Sequence, residues 1–75
     1  MMADVVLDTK GLNCPLPILK AKKAIATVPM GGSLEILATD PGSVKDFESF
    51  CAQTGHELIK ASESNNVFYY EIRKP

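Results

Sequence analysis

Two cysteines and one histidine are the side chains of this chain best suited to soft nucleophilic or metal chemistry, and their neighbours set them apart. Cys14 stands in Gly11-Leu12-Asn13-Cys14-Pro15-Leu16-Pro17, whereas Cys51 follows Phe50 in an otherwise ordinary amphipathic stretch, and His56 comes just after Gly55. Two distant cysteines make no disulfide framework. Two cysteines and one histidine also fall short of the four closely spaced ligands of a structural zinc site, so neither a metal nor another cofactor is expected. A thioredoxin-like oxidoreductase would want a Cys-x-x-Cys pair, which is absent. What remains is the chemistry of a single thiolate, attack on a sulfur or carbon electrophile, and the question becomes which cysteine is placed to do it.

The elements around each cysteine answer differently. Proline is favoured at the first position of a helix, where its fixed φ fits and its missing N–H is no loss. Pro15 is therefore expected to open a helix and Cys14 to be its N-cap, with Pro17 still in the first turn. Leu16 N–H is then the nearest first-turn donor to the sulfur, and the two prolines stiffen the loop. A helix N-terminus favours an anion, so the Cys14 thiol is expected to be exposed and to titrate below its usual range. Cys51 instead shares a helical face with Val44, Phe47 and Phe50, opposite Lys45, Glu48, Ser49 and Gln53. It reads as a small buried hydrophobe, inert for lack of access. His56 is expected to be a structural turn or hydrogen-bonding residue, and Asp8 and Asp40 to be turn and cap residues at strand ends.

Stepping outward, Val5-Val6-Leu7 reads as a strand closed by Asp8-Thr9-Lys10-Gly11. Ile18, Ala21, Ile25 and Val28 recur at helical spacing until Pro29-Met30-Gly31-Gly32 stops the helix. Leu34, Ile36 and Ala38 alternate with polar neighbours as a second strand, and Asp40-Pro41-Gly42-Ser43 offers caps for the second helix, which Gly55 ends. Glu57–Ala61 makes a short third strand, Ser64-Asn65-Asn66 a turn, and Val67–Arg73 a fourth strand with Phe68, Tyr70 and Ile72 on one face. The expected fold is α/β: a two-layer α/β sandwich in β-α-β-α-β-β order, one domain over residues 1–75, with a four-stranded mixed sheet and both helices on one face.

Composition narrows the function. Eight Lys+Arg against nine Asp+Glu leave a net charge of -1, and there is no Trp, so direct nucleic-acid binding is not expected. No apolar run approaches the roughly 20 residues of a membrane span, and Met1-Met2-Ala3-Asp4-Val5-Val6 lacks the basic start of a signal peptide; a cytoplasmic protein is expected. A domain this small has little room for a deep pocket, so its chemistry is expected at the surface and to need a partner.

Cys-Pro-x-Pro at the first helix, Phe50-Cys51, Gly55-His56-Glu57-Leu58 and the closing Tyr70-Glu71-Ile72-Arg73-Lys74 together resemble the TusA/SirA-like sulfur carriers, from about Leu7 to the end of the chain. The resemblance implies a cysteine that accepts sulfane sulfur as a persulfide and passes it on, a sulfurtransferase-type relay between a donor protein, such as a cysteine desulfurase or rhodanese, and a downstream acceptor protein. It transfers the active role to Cys14 and the motif role to Pro15 and Pro17. Carriers dedicated to tRNA thiolation often have an acidic residue between these prolines; here Leu16 stands there and offers an apolar docking contact. Lys20 and Lys23, opposite the apolar stripe of the first helix with Thr27 and with Lys22 at its margin, make a candidate docking stripe for an acidic patch. Two other readings stand beside this one: a non-catalytic interaction or regulatory module in which Cys14 is incidental, and an RNA-binding domain.

Overall fold

The computed structural model of the chain describes residues 4–75. Its elements are β1 (Val5–Thr9), α1 (Leu16–Ile25), β2 (Ser33–Ala38), α2 (Ser43–Thr54), β3 (Glu57–Ser64) and β4 (Val67–Arg73). They form one four-stranded mixed sheet in the order β1-β2-β4-β3. β1 runs parallel to β2 across the α1 connection, and β4 is antiparallel to both β2 and β3. The expected architecture is the observed one. β4 fills the sheet position that the β2–α2–β3 crossover leaves open.

Period-2 alternation decides which face is covered. Leu34 is paired with Val5 and Ile72, Ile36 with Leu7 and Tyr70, and Ala38 with Thr9 and Phe68, so three rows of mostly apolar side chains stand on one face. α1 lies over β1 and β2, α2 over β3 and β4, and the two helices touch each other. Beneath them Leu34, Ile36, Phe47 and Ile72 are wholly buried, each worth about 1.5–3 kcal/mol of transfer free energy. The Phe47 and Tyr70 rings pack with centroids 4.8 Å apart. Tyr70 carries its hydroxyl into this core only because Ser43 Oγ lies 2.7 Å away and shares a hydrogen bond with it.

Local detail departs from expectation in two places. β3 is longer than Glu57–Ala61, continuing to Ser64 with a bulge between Leu58 and Lys60. Ser62-Glu63-Ser64 is not a strand-forming run by propensity. It is strand because the hairpin pairs it with Val67–Tyr69, on an exposed edge where polar side chains cost nothing. Asn65 and Asn66 both take positive φ, 52° and 65°, which fits the tight two-residue turn closing that hairpin.

The second departure is at the first turn of the α1 stripe, where Pro17 takes the buried place expected of Ile18. Pro17, Ala21 and Ile25 face the core, while Ile18 is only half-buried and turns toward α2. Among the described residues no side chain caps either helix at its start. At the other ends, Gly55 closes α2 in the left-handed conformation with its N–H on Cys51 O, and Lys74 Nζ donates to the carbonyls of Ile25 and Val28 at 3.2 and 3.1 Å. Among the described residues no helix is long and apolar enough to cross a membrane.

Candidate functional site

Cys14 lies one residue further from the helix than its neighbours imply. α1 begins at Leu16, Pro15 is its N-cap and Pro17 its second residue. Pro15 O accepts the first helical bond, from Leu19 N–H at 3.1 Å. The Cys14–Pro15 peptide is cis. Leu16 N–H, the donor expected to serve the sulfur, donates instead to Asn13 O at 2.9 Å. Pro15 and Pro17 have no N–H to offer, so the turn that should have supplied several amides to an anion supplies almost none.

What holds Cys14 is the neighbouring loop. Gly11 N–H donates to Thr39 Oγ1 and Cys14 N–H donates to Asp40 Oδ2, at 2.9 and 2.8 Å. Two backbone amides of the β1–α1 loop are thus tied to two side chains of the β2–α2 loop, which parallel pairing of β1 and β2 brings side by side. Asp40 also accepts from Gly42 N–H through its other oxygen, at 3.1 Å, so both its oxygens are engaged by backbone donors. Asp40 was expected only as a turn and cap residue; it holds the turn through Gly42 but caps no helix, and it also anchors the cysteine.

The electrostatics reverse the expected activation. Cys14 Sγ and one carboxylate oxygen each from Asp40 and Asp46 lie within 4.8 Å of one another. Asp46, in the first turn of α2, is placed to accept from the Cys14 S–H. That acceptor holds the thiol above its ordinary range, with loss of solvation and then the negative charges of Asp46 and Asp40 adding to it. The helix N-terminus does not win because its amides are missing or occupied while two carboxylates stand at the sulfur. Cys14 is nonetheless exposed, as expected. Among the described residues neither Asp40 nor Asp46 has an ion-pair partner; the pairs present are Lys10–Asp8 and Arg73–Glu57.

The sulfur sits at one end of a shallow groove of about 200 Å³ between α1 and α2, lined from α1 by Pro15, Ile18 and Lys22 and from α2 by Asp46, Phe50 and Gln53. Lys22, not Lys20 or Lys23, is the cation that faces it. Leu16, Lys20 and Lys23 are exposed on the far side of α1, where Leu16 and Leu19 keep 44% and 47% of their surface. Cys51 is buried in the core, and burial pushes its thiol up. His56 is away from the groove: its Nδ1 lies 2.6 Å from Thr54 Oγ1 and its ring stacks on Phe50. The thiol and two carboxylates are a mixed set of three ligands, one short of a closed structural zinc site.

The family model described as Sulfurtransferase TusA matches residues 5–74, a span that holds every element of the sheet, both helices and the whole groove. The chain belongs to the TusA family. A sulfur carrier protein TusA of Allochromatium vinosum is 52% identical over 71 residues, covering 95% of this chain and 93% of that one. A putative sulfur carrier protein of Neisseria meningitidis is 57% identical over 67 residues, covering 89% and 90%. Among solved structures, a SirA-like protein of Desulfitobacterium hafniense superposes with a TM-score of 0.80 at 24% identity, covering 91% of this chain and 93% of that one; it shares the fold. Membership in the TusA family agrees with the resemblance carried by Cys14-Pro15-Leu16-Pro17. The two carboxylates at the sulfur lay outside that resemblance.

Proposed function

We propose that this chain is a sulfur carrier that accepts sulfane sulfur as a persulfide on Cys14 and relays it to an acceptor protein. The observation that carries the reading is the contrast in access: Cys14 is exposed at the mouth of an open groove, and the other thiol is buried in the core. Sulfur relay needs two sulfurs to meet in line, which a cysteine on a convex surface permits. With Cys51 enclosed, a loaded Cys14 has no resolving thiol on its own chain to discharge it as a disulfide. The relatives named as sulfur carriers support the same role.

In this reading Pro15 and Pro17 strip the start of α1 of donors and hold the loop. Leu16, Lys20 and Lys23 form an outer contact surface for the donor, a persulfide-bearing protein such as a cysteine desulfurase or rhodanese, and for the acceptor. A relay through a free thiol works in a reducing compartment, the cytoplasm. The test is intact mass under non-reducing conditions after incubation with a cysteine desulfurase and cysteine. Wild type gains one sulfur, Cys14→Ser gains none, and Cys51→Ala gains one. Sulfur uptake by Cys14→Ser, or none by wild type with its thiol shown to be free, sinks the reading in favour of an interaction module in which Cys14 is incidental.

A further inference from the structure

A thiol held protonated by two carboxylates is a poor nucleophile at rest, and the site needs an account of how it attacks. The chemistry of the donor supplies one. A persulfide reaches neutral pH largely as an anion, and an anionic outer sulfur is a poor electrophile. It becomes attackable once protonated. Transfer therefore requires a proton to leave the acceptor thiol and arrive on the donor, and Asp46 holds a carboxylate oxygen within 4.8 Å of the Cys14 sulfur in the same groove.

Building on the carrier reading, we infer that Asp46 is a catalytic residue that takes the Cys14 thiol proton and passes it to the donor, so that sulfur and proton move in opposite directions through one site. The proton goes from Cys14 Sγ through the Asp46 carboxylate to the outer sulfur of the donor persulfide, leaving a thiolate and a neutral persulfide. Cys14 Sγ attacks the outer sulfur; the new S–S bond forms as the donor's own S–S bond breaks, and the electron pair stays on the donor's inner sulfur. The proton then returns through Asp46 to that thiolate. The sum is one donor persulfide anion and one Cys14 thiol converted into a donor thiol and a Cys14 persulfide anion, with no external oxidant or reductant.

The geometry singles out Asp46 over its neighbours. Asp40 has one oxygen on Cys14 N–H and the other on Gly42 N–H, so it positions the cysteine and has no oxygen to spare. Asp46 has no ion-pair partner among the described residues and lines the groove by which a donor reaches the sulfur. The other groups facing the site are Lys22 from α1, which lies two helical turns beyond Cys14 along the groove, and the Tyr70 hydroxyl below, which is committed to Ser43. His56, the usual proton carrier near neutral pH, is engaged with Thr54 and lies outside the groove.

Asp46→Asn separates this role from a simple brake on the thiol. It keeps the shape of a half-buried first-turn side chain while removing the base. Two rates are measured at pH 7.5 on wild type and variant, with the fold checked by circular dichroism: alkylation by iodoacetamide, which needs only thiolate, and single-turnover sulfur uptake from glutathione persulfide, read by mass. The variant is expected to alkylate faster yet accept sulfur about 10²-fold more slowly, the lower edge of what a positioned acid–base group contributes. Opposite signs are the signature. Two rates that rise together, fall together, or an uptake that does not slow, overturn the inference while wild-type uptake leaves the carrier reading standing. No uptake by wild type from either this donor or the desulfurase overturns both.

Discussion

Cys14 and Cys51 are both pushed toward the protonated thiol, and for unlike reasons. Around Cys51 the cause is burial, which only opening of the core relieves. Around Cys14 the leading cause is a carboxylate acceptor at the surface, which a partner, a proton or a single substitution removes. One thiol is silenced by structure and the other is restrained by charge. The difference is one of reversibility: the restraint on Cys14 can be lifted at the surface, and that on Cys51 cannot. Access together with a reversible restraint serves a carrier, whose thiol must stay intact between encounters.

The largest effect should come from testing access itself. In the native protein iodoacetamide is expected to label Cys14 and leave Cys51 at least about 10³-fold slower, since Cys51 reacts only through opening of a core whose stability is a few kcal/mol. Peptide mapping after timed labelling checks this; comparable rates at the two sites would abolish the contrast. The same contrast can be broken from the inside. Phe47→Ala removes a wholly buried ring in contact with Tyr70 and should destabilise the fold by about 3–5 kcal/mol by urea titration. Cys51 should lose its protection in step, while native Cys14 keeps its rate.

How far each cysteine was legible follows from how local its environment is. Cys51 sits on one helix with Val44, Phe47 and Phe50, and helical spacing alone puts it inside. Asn65-Asn66 announces its hairpin, and the alternation of Phe68, Tyr70 and Ile72 its buried face, because turn and strand signals act within a few residues. Its prolines and the family resemblance single out Cys14 as the candidate site. Its electrostatics were not legible, because Asp40 and Asp46 reach it from another loop and another helix, brought there by the β1–β2 pairing and by the bonds to Thr39 and Asp40. The prolines that open α1 delete two of its donors, and the nearest amide left for the sulfur, Leu16 N–H, is spent on Asn13 O, a bond that no local signal announces. The place of Lys22 in the groove, with Lys20 and Lys23 outside it, goes with that of Ile18 one turn earlier, which lines the groove while Pro17 is buried in the core.

A middle-sized effect sharpens the comparison electrostatically. Asp40→Asn and Asp46→Asn should each lower the pH midpoint for alkylation of Cys14, because each removes a negative charge and Asp46→Asn also replaces the charged acceptor by a neutral amide whose NH2 can turn to the thiolate. Asp46→Asn should shift it further. At fixed pH near 7.5 the expected gain in rate is severalfold, on the order of tenfold at most, since one pKa unit is tenfold in thiolate. Added salt should raise the wild-type Cys14 rate by partly screening the half-buried carboxylates and should do nothing to Cys51. A midpoint that rises in Asp46→Asn would mean that the helix N-terminus governs the sulfur after all.

The smallest effect reads the buried thiol through stability. A thiol whose folded pKa is raised binds its proton more tightly in the folded state, so its contribution is complete below the ordinary thiol range, about pH 8.5, and is lost as pH rises toward the folded value. Wild type should therefore lose thermal stability on the alkaline side, with Tyr70, also raised chiefly by burial, extending the decline beyond the ordinary tyrosine range near pH 10. Cys51→Ala should start lower for want of packing but decline less between about pH 8.5 and 10, so the two curves of Tm against pH converge. Cys14→Ser should leave the curve nearly parallel to wild type, because an exposed group restrained by screened charge contributes little. Parallel curves for Cys51→Ala would show that burial is not what holds its proton, and the contrast between the two thiols would then rest on access alone.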